Sequence, residues 1–110
     1  MGKNEAIGIL RKYIRNLNED GMNIHLAYLY GSHARDEGTI ESDIDVVLIS
    51  DKFDTDDDII LSKPWLPKYR FDYRIEPIAV GTRRFDEDDT SPLLEIIRQE
   101  GIKIRIGTSL

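Results

Sequence analysis

The sequence predicts an α/β fold in which a small mixed β-sheet is covered by helices. Two amphipathic helix patterns, one near each end of the chain, enclose three short segments rich in β-forming residues. The chain has 110 residues, of which 40% are hydrophobic, so it has the size of one domain with a modest core. We therefore expect a single domain over residues 1–110.

The first half of the chain predicts one helix followed by two strands. Residues 4–20 carry apolar side chains at spacings of three and four, and Gly21 follows where a helix commonly stops. Residues 23–30 are rich in β-formers and predict a strand that ends at Gly31. Residues 43–50 predict a central strand, because apolar residues occupy both of its faces.

The second half predicts a loop, a third strand and a second helix. The acidic segment 51–68 contains two prolines and predicts a loop, with a brief helical turn at residues 59–61. Residues 71–80 resume an extended pattern, in which Pro77 indicates a bulge or an edge position. A polar segment follows, after which residues 92–100 predict a helix and the alternating IKIRI predicts a short final strand.

The composition disfavours several classes of function. Because the chain has no cysteine, disulfides, thiolate catalysis and zinc–thiolate sites are excluded. No apolar run approaches the roughly 20 residues that span a bilayer, and the charged N-terminal segment is unlike a signal peptide, so we expect a cytoplasmic protein without membrane association. The net charge of −6 disfavours nonspecific nucleic-acid binding, which depends on basic residues that neutralise phosphates.

A Gly-Ser turn and an Asp-x-Asp pair indicate metal-dependent phosphate chemistry. Side chains alternate along a strand, so Asp43 and Asp45 share one face. Two such carboxylates repel each other unless a cation intervenes, and Mg²⁺ commonly bridges carboxylates to substrate phosphates. Gly31 lets the backbone approach a ligand closely, and Ser32 with its neighbouring amides can hold phosphate oxygens. We therefore expect a site for Mg²⁺ and a triphosphate.

A third carboxylate on the next strand would complete this site. Glu76 and Asp72 are four residues apart and therefore share strand parity. Glu76 is favoured because it lies deeper in the apolar run, where an unpaired charge would be costly. Asp72 remains the alternative.

Residues 31–47 resemble the signature of the DNA polymerase β superfamily, in which Gly-Ser is followed by Asp-x-Asp. The segments GSHARD and SDID are closer still to the GSxARG and SDxD patterns of the minimal nucleotidyltransferases in that superfamily. The resemblance implies a polymerase β-like fold and Mg²⁺-dependent transfer of AMP from ATP to a hydroxyl. It also implies a third acidic residue on a later strand, where RIEPI places Glu76. Two residues depart from the pattern, since Asp36 replaces the usual Gly and Glu76 the usual Asp.

The resemblance also implies a protein partner. Minimal nucleotidyltransferases are often encoded beside a helical HEPN protein, and in such pairs the enzyme acts as an antitoxin that transfers AMP to a tyrosine of the toxin. We therefore predict a HEPN-type partner. One alternative is a noncatalytic protein of the same fold that neutralises its partner by contact alone. Another is a nucleotidyltransferase that acts on an antibiotic hydroxyl, which is disfavoured because no second domain is evident to form an acceptor pocket.

Four further residues have local interpretations. Arg35 either binds a nucleotide phosphate through its planar guanidinium or pairs with a nearby acid, namely Asp36, Glu37 or Glu41. His33 is interpreted as a solvent-facing turn histidine, with a nucleotide contact as the alternative, and His25 as part of the strand surface or core. Trp65 is interpreted as packing beneath its own loop, with a stacking platform for adenine or a partner contact as alternatives.

Overall fold

The chain folds into a mixed sheet with helices packed on both faces. The computed structural model describes residues 2–107. Its strands are β1 (Leu26–Tyr30), β2 (Ile44–Ser50), β3 (Ile75–Gly81) and β4 (Ile102–Lys103), in the spatial order β3-β2-β1-β4. β1 pairs antiparallel with β2 and β4, whereas β2 pairs parallel with β3. The predicted α/β class with a small mixed sheet is confirmed.

Helices precede, interrupt and follow the strands. They are α1 (Lys3–Glu19), α2 (Asp58–Ser62), α3 (Thr82–Glu87) and α4 (Pro92–Glu100), with short 3₁₀ turns at Asp51–Phe53 and Lys63–Trp65. The helix predicted near each end of the chain is present, and so is the brief helical turn predicted inside the long loop. Among residues 2–107, no helix is long and apolar enough to cross a membrane. The predicted domain limits include Met1 and residues 108–110, which lie outside the described residues.

Strand β2 separates two apolar layers, as its predicted central position requires. On one face, three of its side chains pack against buried residues of α1: Ile44, Val46 and Leu48 against Ala6, Leu10, Tyr13, Ile14 and Leu17. On the other face, Val47 and Ile49 pack against Leu94 and Ile97 of α4. Helix α4 begins at the predicted cap, where Ser91 Oγ accepts a hydrogen bond from the Leu94 amide at 3.3 Å.

Strand β1 begins later than predicted, because the Asn18 side chain forms hydrogen bonds with the backbone just before the strand. Asn23 has a φ of 55°, a left-handed conformation that does not extend a strand. The Asn18 amide then bonds both backbone groups of Ile24, donating to its carbonyl at 3.0 Å and accepting from its N–H at 2.7 Å. Regular pairing in β1 therefore starts at Leu26.

The third strand also starts later than predicted, at Ile75 and not at residue 71. Asp72 Oδ1 accepts a hydrogen bond from the Arg74 amide at 3.0 Å and so closes a turn just before the strand. The predicted parity between Asp72 and Glu76 is therefore wrong, because Asp72 does not belong to the strand. The prediction for Pro77 is confirmed, since β3 is an edge strand of the sheet.

Two smaller differences concern the C-terminal third of the chain. The segment predicted as polar and irregular contains α3, in which Phe85 packs against Tyr28 with ring centroids 5.8 Å apart. The predicted final strand is shorter than the IKIRI pattern, with β4 covering Ile102–Lys103. The Ile104 amide adds one more bond, to the Ala27 carbonyl at 2.8 Å.

Candidate active site

The parallel pairing of β2 with β3 places two carboxylates side by side. Asp45 is the register partner of Glu76, and both side chains are half-buried. On its other side Asp45 is the register partner of Tyr30, the last residue of β1. Asp43 lies immediately ahead of β2 and is exposed. Asp43, Asp45 and Glu76, the three carboxylates favoured from the sequence, therefore lie together at one end of the sheet.

These carboxylates line one open cleft of about 390 Å³. Its wall also contains an aromatic residue from the long loop and apolar residues of the edge strand. The full lining is Tyr30, Asp43, Asp45, Trp65, Glu76, Pro77 and Ile78. The alternative third carboxylate, Asp72, is outside the cleft and is engaged by Arg74, whose Nη2 lies 2.7 Å from Asp72 Oδ2. The structure therefore groups Glu76, and not Asp72, with the Asp-x-Asp pair.

The electrostatics of the cleft reflect crowded negative charge. Burial raises the pKa of Asp45, and the carboxylates of Asp43 and Glu76 raise it further. Burial likewise raises the pKa of Tyr30 to about 12, with additional contributions from Asp45 and Glu76. A cation bound between these carboxylates would offset their repulsion.

The turn after β1 brings its backbone against this cluster. Gly31 has a φ of 78°, a conformation that favours glycine, and a Cβ at this position would overlap Asp45 Oδ2. The turn is closed by backbone hydrogen bonds from Ala34 to Gly31 at 3.1 Å and from Glu37 to Ser32 at 2.9 Å. The Gly-Ser turn is therefore in direct contact with one of the carboxylates.

The first departure from the family pattern is compatible with this turn. Asp36 has a φ of 59°, so it occupies the left-handed region in which glycine is most easily placed. Aspartate is among the non-glycine residues that tolerate this conformation. Its carboxylate also lies 3.3 Å from Lys3 Nζ. The Asp thus adopts the conformation that would explain a Gly in the related sequences.

Arg35 makes ion pairs and also acts on the carboxylate cluster. Its Nε lies 3.2 Å from Glu37 Oε2, which confirms one of the predicted pairs, and its Nη1 lies 3.6 Å from Glu100 Oε2. Its positive charge partly offsets the rise in the pKa of Asp45. Glu100 was not foreseen as a partner, because the contact joins segments far apart in the chain.

Two predictions about single residues near the site are wrong. His33 does not face solvent, since it is 2% exposed and its Nε2 lies 3.4 Å from the Ser42 carbonyl oxygen. It fits there because Gly38 has no side chain, and a Cβ at Gly38 would overlap the ring. Trp65 is not packed beneath its own loop, since it is 41% exposed and lines the cleft. His25 lies on the surface, where its ring is 2.8 Å from Thr82 Oγ1.

The donor set fits a divalent cation that also contacts a substrate. Within residues 2–107, no three acidic or histidine side chains already stand close enough to enclose an ion. Mg²⁺ is usually held by one or two carboxylates together with substrate phosphates and water, so a complete protein cage is not required. Asp43, Asp45 and Glu76 supply oxygen ligands of the type that Mg²⁺ prefers, and the Gly31 turn lies against one of them.

An acidic cleft beside a Gly-Ser turn, at one end of a mixed sheet, suits the binding of phosphate-containing substrates together with a cation. The family described as "Polymerase beta, Nucleotidyltransferase" matches residues 12–75 of this sequence. The chain therefore belongs to the polymerase β nucleotidyltransferase family, as its sequence predicted. The matched segment contains the Gly-Ser turn and the Asp-x-Asp pair and ends one residue before Glu76. No curated protein sequence matches the chain significantly.

Solved structures share the fold. A candidate nucleotidyltransferase from Sulfolobus solfataricus is similar with a TM-score of 0.66 and 12% identity, over 92% of this chain and 80% of that chain. A toxin–antitoxin solved with AMP-PNP is similar with a TM-score of 0.58 and 21% identity, over 98% and 76% of the two chains. A mutant of the toxin–antitoxin MntA–HpeT has a TM-score of 0.56 and 18% identity, over 98% and 76%.

Proposed function

We propose that this nucleotidyltransferase uses Mg²⁺ to transfer AMP from ATP to a tyrosine hydroxyl of a HEPN-type toxin and acts as its antitoxin. The observation that carries the proposal is the register of β2 and β3, which sets Asp45 directly beside Glu76. Asp43 faces the same cleft, and the Gly31 backbone lies against Asp45. Such an arrangement suits a reaction that depends on positioning and on neutralising phosphate charge.

Each site residue has a role in this reaction. Gly31 and Ser32 hold the triphosphate, and Arg35 adds positive charge beside it. Asp43, Asp45 and Glu76 bind Mg²⁺, which neutralises phosphate charge when bound. The acceptor oxygen forms a bond to the α-phosphorus as the bond to pyrophosphate breaks. The hydroxyl proton passes to a carboxylate of the cleft, and pyrophosphate leaves.

The toxin partner is inferred from the structural relatives together with the family resemblance. Two similar structures are toxin–antitoxins, and one of them was solved with AMP-PNP, a nucleotide analogue. At 18% and 21% sequence identity, the similarity of these structures to this chain shows a shared fold. A protein acceptor also suits the open form of the cleft, because a partner can supply the remaining walls of the site.

The test is incubation of the purified protein with Mg²⁺, labelled ATP and the product of the neighbouring gene, followed by intact mass measurement. We expect the partner to gain the mass of AMP. The Asp43→Asn/Asp45→Asn form should still bind the partner but transfer nothing. A matched control is Asp56→Asn/Asp58→Asn, which removes the same two charges at the same spacing from exposed positions at the start of α2. This control should retain transfer.

The opposite result would select the noncatalytic alternative. If the wild-type protein forms a stable complex but adds no AMP, and the Asn double variant still neutralises the toxin, the protein acts by contact alone. The carboxylates would then be inherited metal ligands without a catalytic role.

A further inference from the structure

Contacts to its turn and to its ring restrain Trp65 at the edge of the cleft. The carbonyl of the preceding residue, Pro64, accepts a buried hydrogen bond from the Tyr13 hydroxyl at 2.7 Å, which ties the turn to α1. The Arg70 guanidinium lies 4.8 Å from the centroid of the indole ring. Arg70 itself is fixed by bonds from its Nε to the Ile75 carbonyl at 2.9 Å and from its Nη2 to the Tyr73 carbonyl at 2.8 Å.

The ring nevertheless keeps a large exposed area. Trp65 is 41% exposed and Ile78, another residue of the cleft wall, is 36% exposed. A large aromatic side chain that is restrained by its neighbours yet open to solvent is well suited to bind another molecule, because less conformational entropy is lost on contact. None of the roles proposed above for the carboxylates and the phosphate turn uses this ring.

The order of the strands determines which substrate meets Trp65. Gly31 follows β1, Asp45 lies on β2 and Glu76 lies on β3, the edge strand. Neighbouring strands are about 4.8 Å apart, so the phosphate turn and β3 are separated by roughly 10 Å. Trp65 shares the cleft with the residues of β3 and with the Asp pair.

Nucleotidyl transfer places the attacking oxygen and the leaving pyrophosphate on opposite sides of the α-phosphorus. With pyrophosphate at the Gly31 turn, the acceptor must approach from the β3 side, where Trp65 and Ile78 form the apolar wall. We infer that Trp65 stacks against the aromatic ring of the acceptor tyrosine and thereby favours tyrosine over aliphatic hydroxyls. This inference rests on the proposed function.

Aromatic stacking explains the preference for tyrosine. Two aromatic rings in offset or edge-to-face contact attract each other beyond the area that they bury. The hydroxyl of a stacked tyrosine lies at the far end of its ring and can extend past Trp65 toward Glu76. Serine and threonine have no ring to stack, so their hydroxyls would not be oriented in this way.

The first experiment compares Trp65→Ala and Trp65→Phe with the wild-type protein in the AMP-transfer assay. Phe71→Ala is the matched control. Phe71 is also an exposed aromatic residue, at 46%, with a cation, Lys12 Nζ, 4.8 Å from its ring centroid, but it is outside the cleft. We expect Trp65→Ala to raise the KM for the acceptor about tenfold, the loss expected for one stacked ring. The Kd of Mg²⁺–ATP should stay within about twofold of wild type. Trp65→Phe should restore most of the KM, and Phe71→Ala should change neither value.

A second experiment does not require transfer. Trp65 is the single tryptophan of the sequence, so its indole N–H gives one assignable NMR signal. With a non-hydrolysable ATP analogue and Mg²⁺ present, N-acetyl-tyrosinamide should shift this signal at concentrations where N-acetyl-leucinamide does not.

The outcomes separate the two proposals. If wild type transfers no AMP but the indole signal responds selectively to the tyrosine amide, the proposed reaction is wrong and the aromatic site is retained. If Trp65→Ala weakens binding of the ATP analogue about tenfold and leaves the acceptor KM unchanged, the ring serves the nucleotide and the inference is overturned. Equal responses to the two amides would also overturn it.

Discussion

Substituting Gly31 by alanine tests whether the phosphate turn and the metal-binding carboxylates form one unit. The φ of 78° costs a non-glycine residue about 1 to 2 kcal/mol. The new Cβ would also overlap Asp45 Oδ2, so the carboxylate must move. Gly21→Ala is the matched control, because Gly21 has a φ of 85° and its added Cβ would meet only Lys52 Nζ, at 3.8 Å.

We expect both variants to lose a similar free energy of unfolding in urea denaturation. A loss of 1 to 2 kcal/mol corresponds to a decrease of about 5 to 10 °C in Tm for a domain of this size. Only Gly31→Ala should also lose affinity for Mg²⁺–ATP, by about tenfold or more, because one charged ligand is displaced. Isothermal titration calorimetry measures this affinity.

The reasoning is refuted if Gly31→Ala binds Mg²⁺–ATP as tightly as Gly21→Ala does. That result would mean that the contact between the turn and Asp45 has no part in binding. A loss of affinity in both variants would instead trace the effect to general destabilisation.

Two further predictions concern stability. Asp36→Gly should raise the free energy of unfolding by up to about 1 kcal/mol in urea denaturation, because it relieves the left-handed strain and removes only an exposed ion pair with Lys3; a less stable variant would contradict this. The pKa of Asp45 is higher in the folded state than in the unfolded state, so ionisation of this carboxyl destabilises the folded protein. Asp45→Asn cannot ionise, and it should therefore be more stable than wild type near pH 7 without Mg²⁺. This advantage should shrink as the pH falls through the raised pKa and vanish below the unfolded value of about 3.9, in denaturation curves recorded from pH 3 to pH 7; an advantage independent of pH would count against the charge repulsion.

The sequence correctly predicted the features that a single short stretch of residues determines. The apolar residues on both faces of β2 predicted its central position, and the Ser91-Pro92 pair predicted the start of α4. The Gly-Ser and Asp-x-Asp segments led to a family that the comparison with known proteins confirmed. Each of these signals lies within a short stretch of the chain and can be read without the tertiary structure.

Sequence reasoning failed where long-range packing decided the outcome. Helix α3 has little apolar periodicity, and the contact of Phe85 with Tyr28 is visible only in the folded chain. His33 is buried because Gly38, five residues later, leaves room for its ring. Trp65 reaches the cleft because Tyr13, in the first helix, fixes its turn. Polarity and local propensity contain no information about these contacts.

The pairing of Asp45 with Glu76 has a consequence for folding. Thirty residues separate the two carboxylates, and they meet only when β2 and β3 form a parallel pair. Closing a loop of this length costs about 3 kcal/mol of chain entropy, apart from a constant term. Contacts of high sequence separation of this kind form slowly. A newly synthesised chain would therefore gain its nucleotide site only after β3 has left the ribosome, and nucleotide binding would report the pairing of β2 with β3.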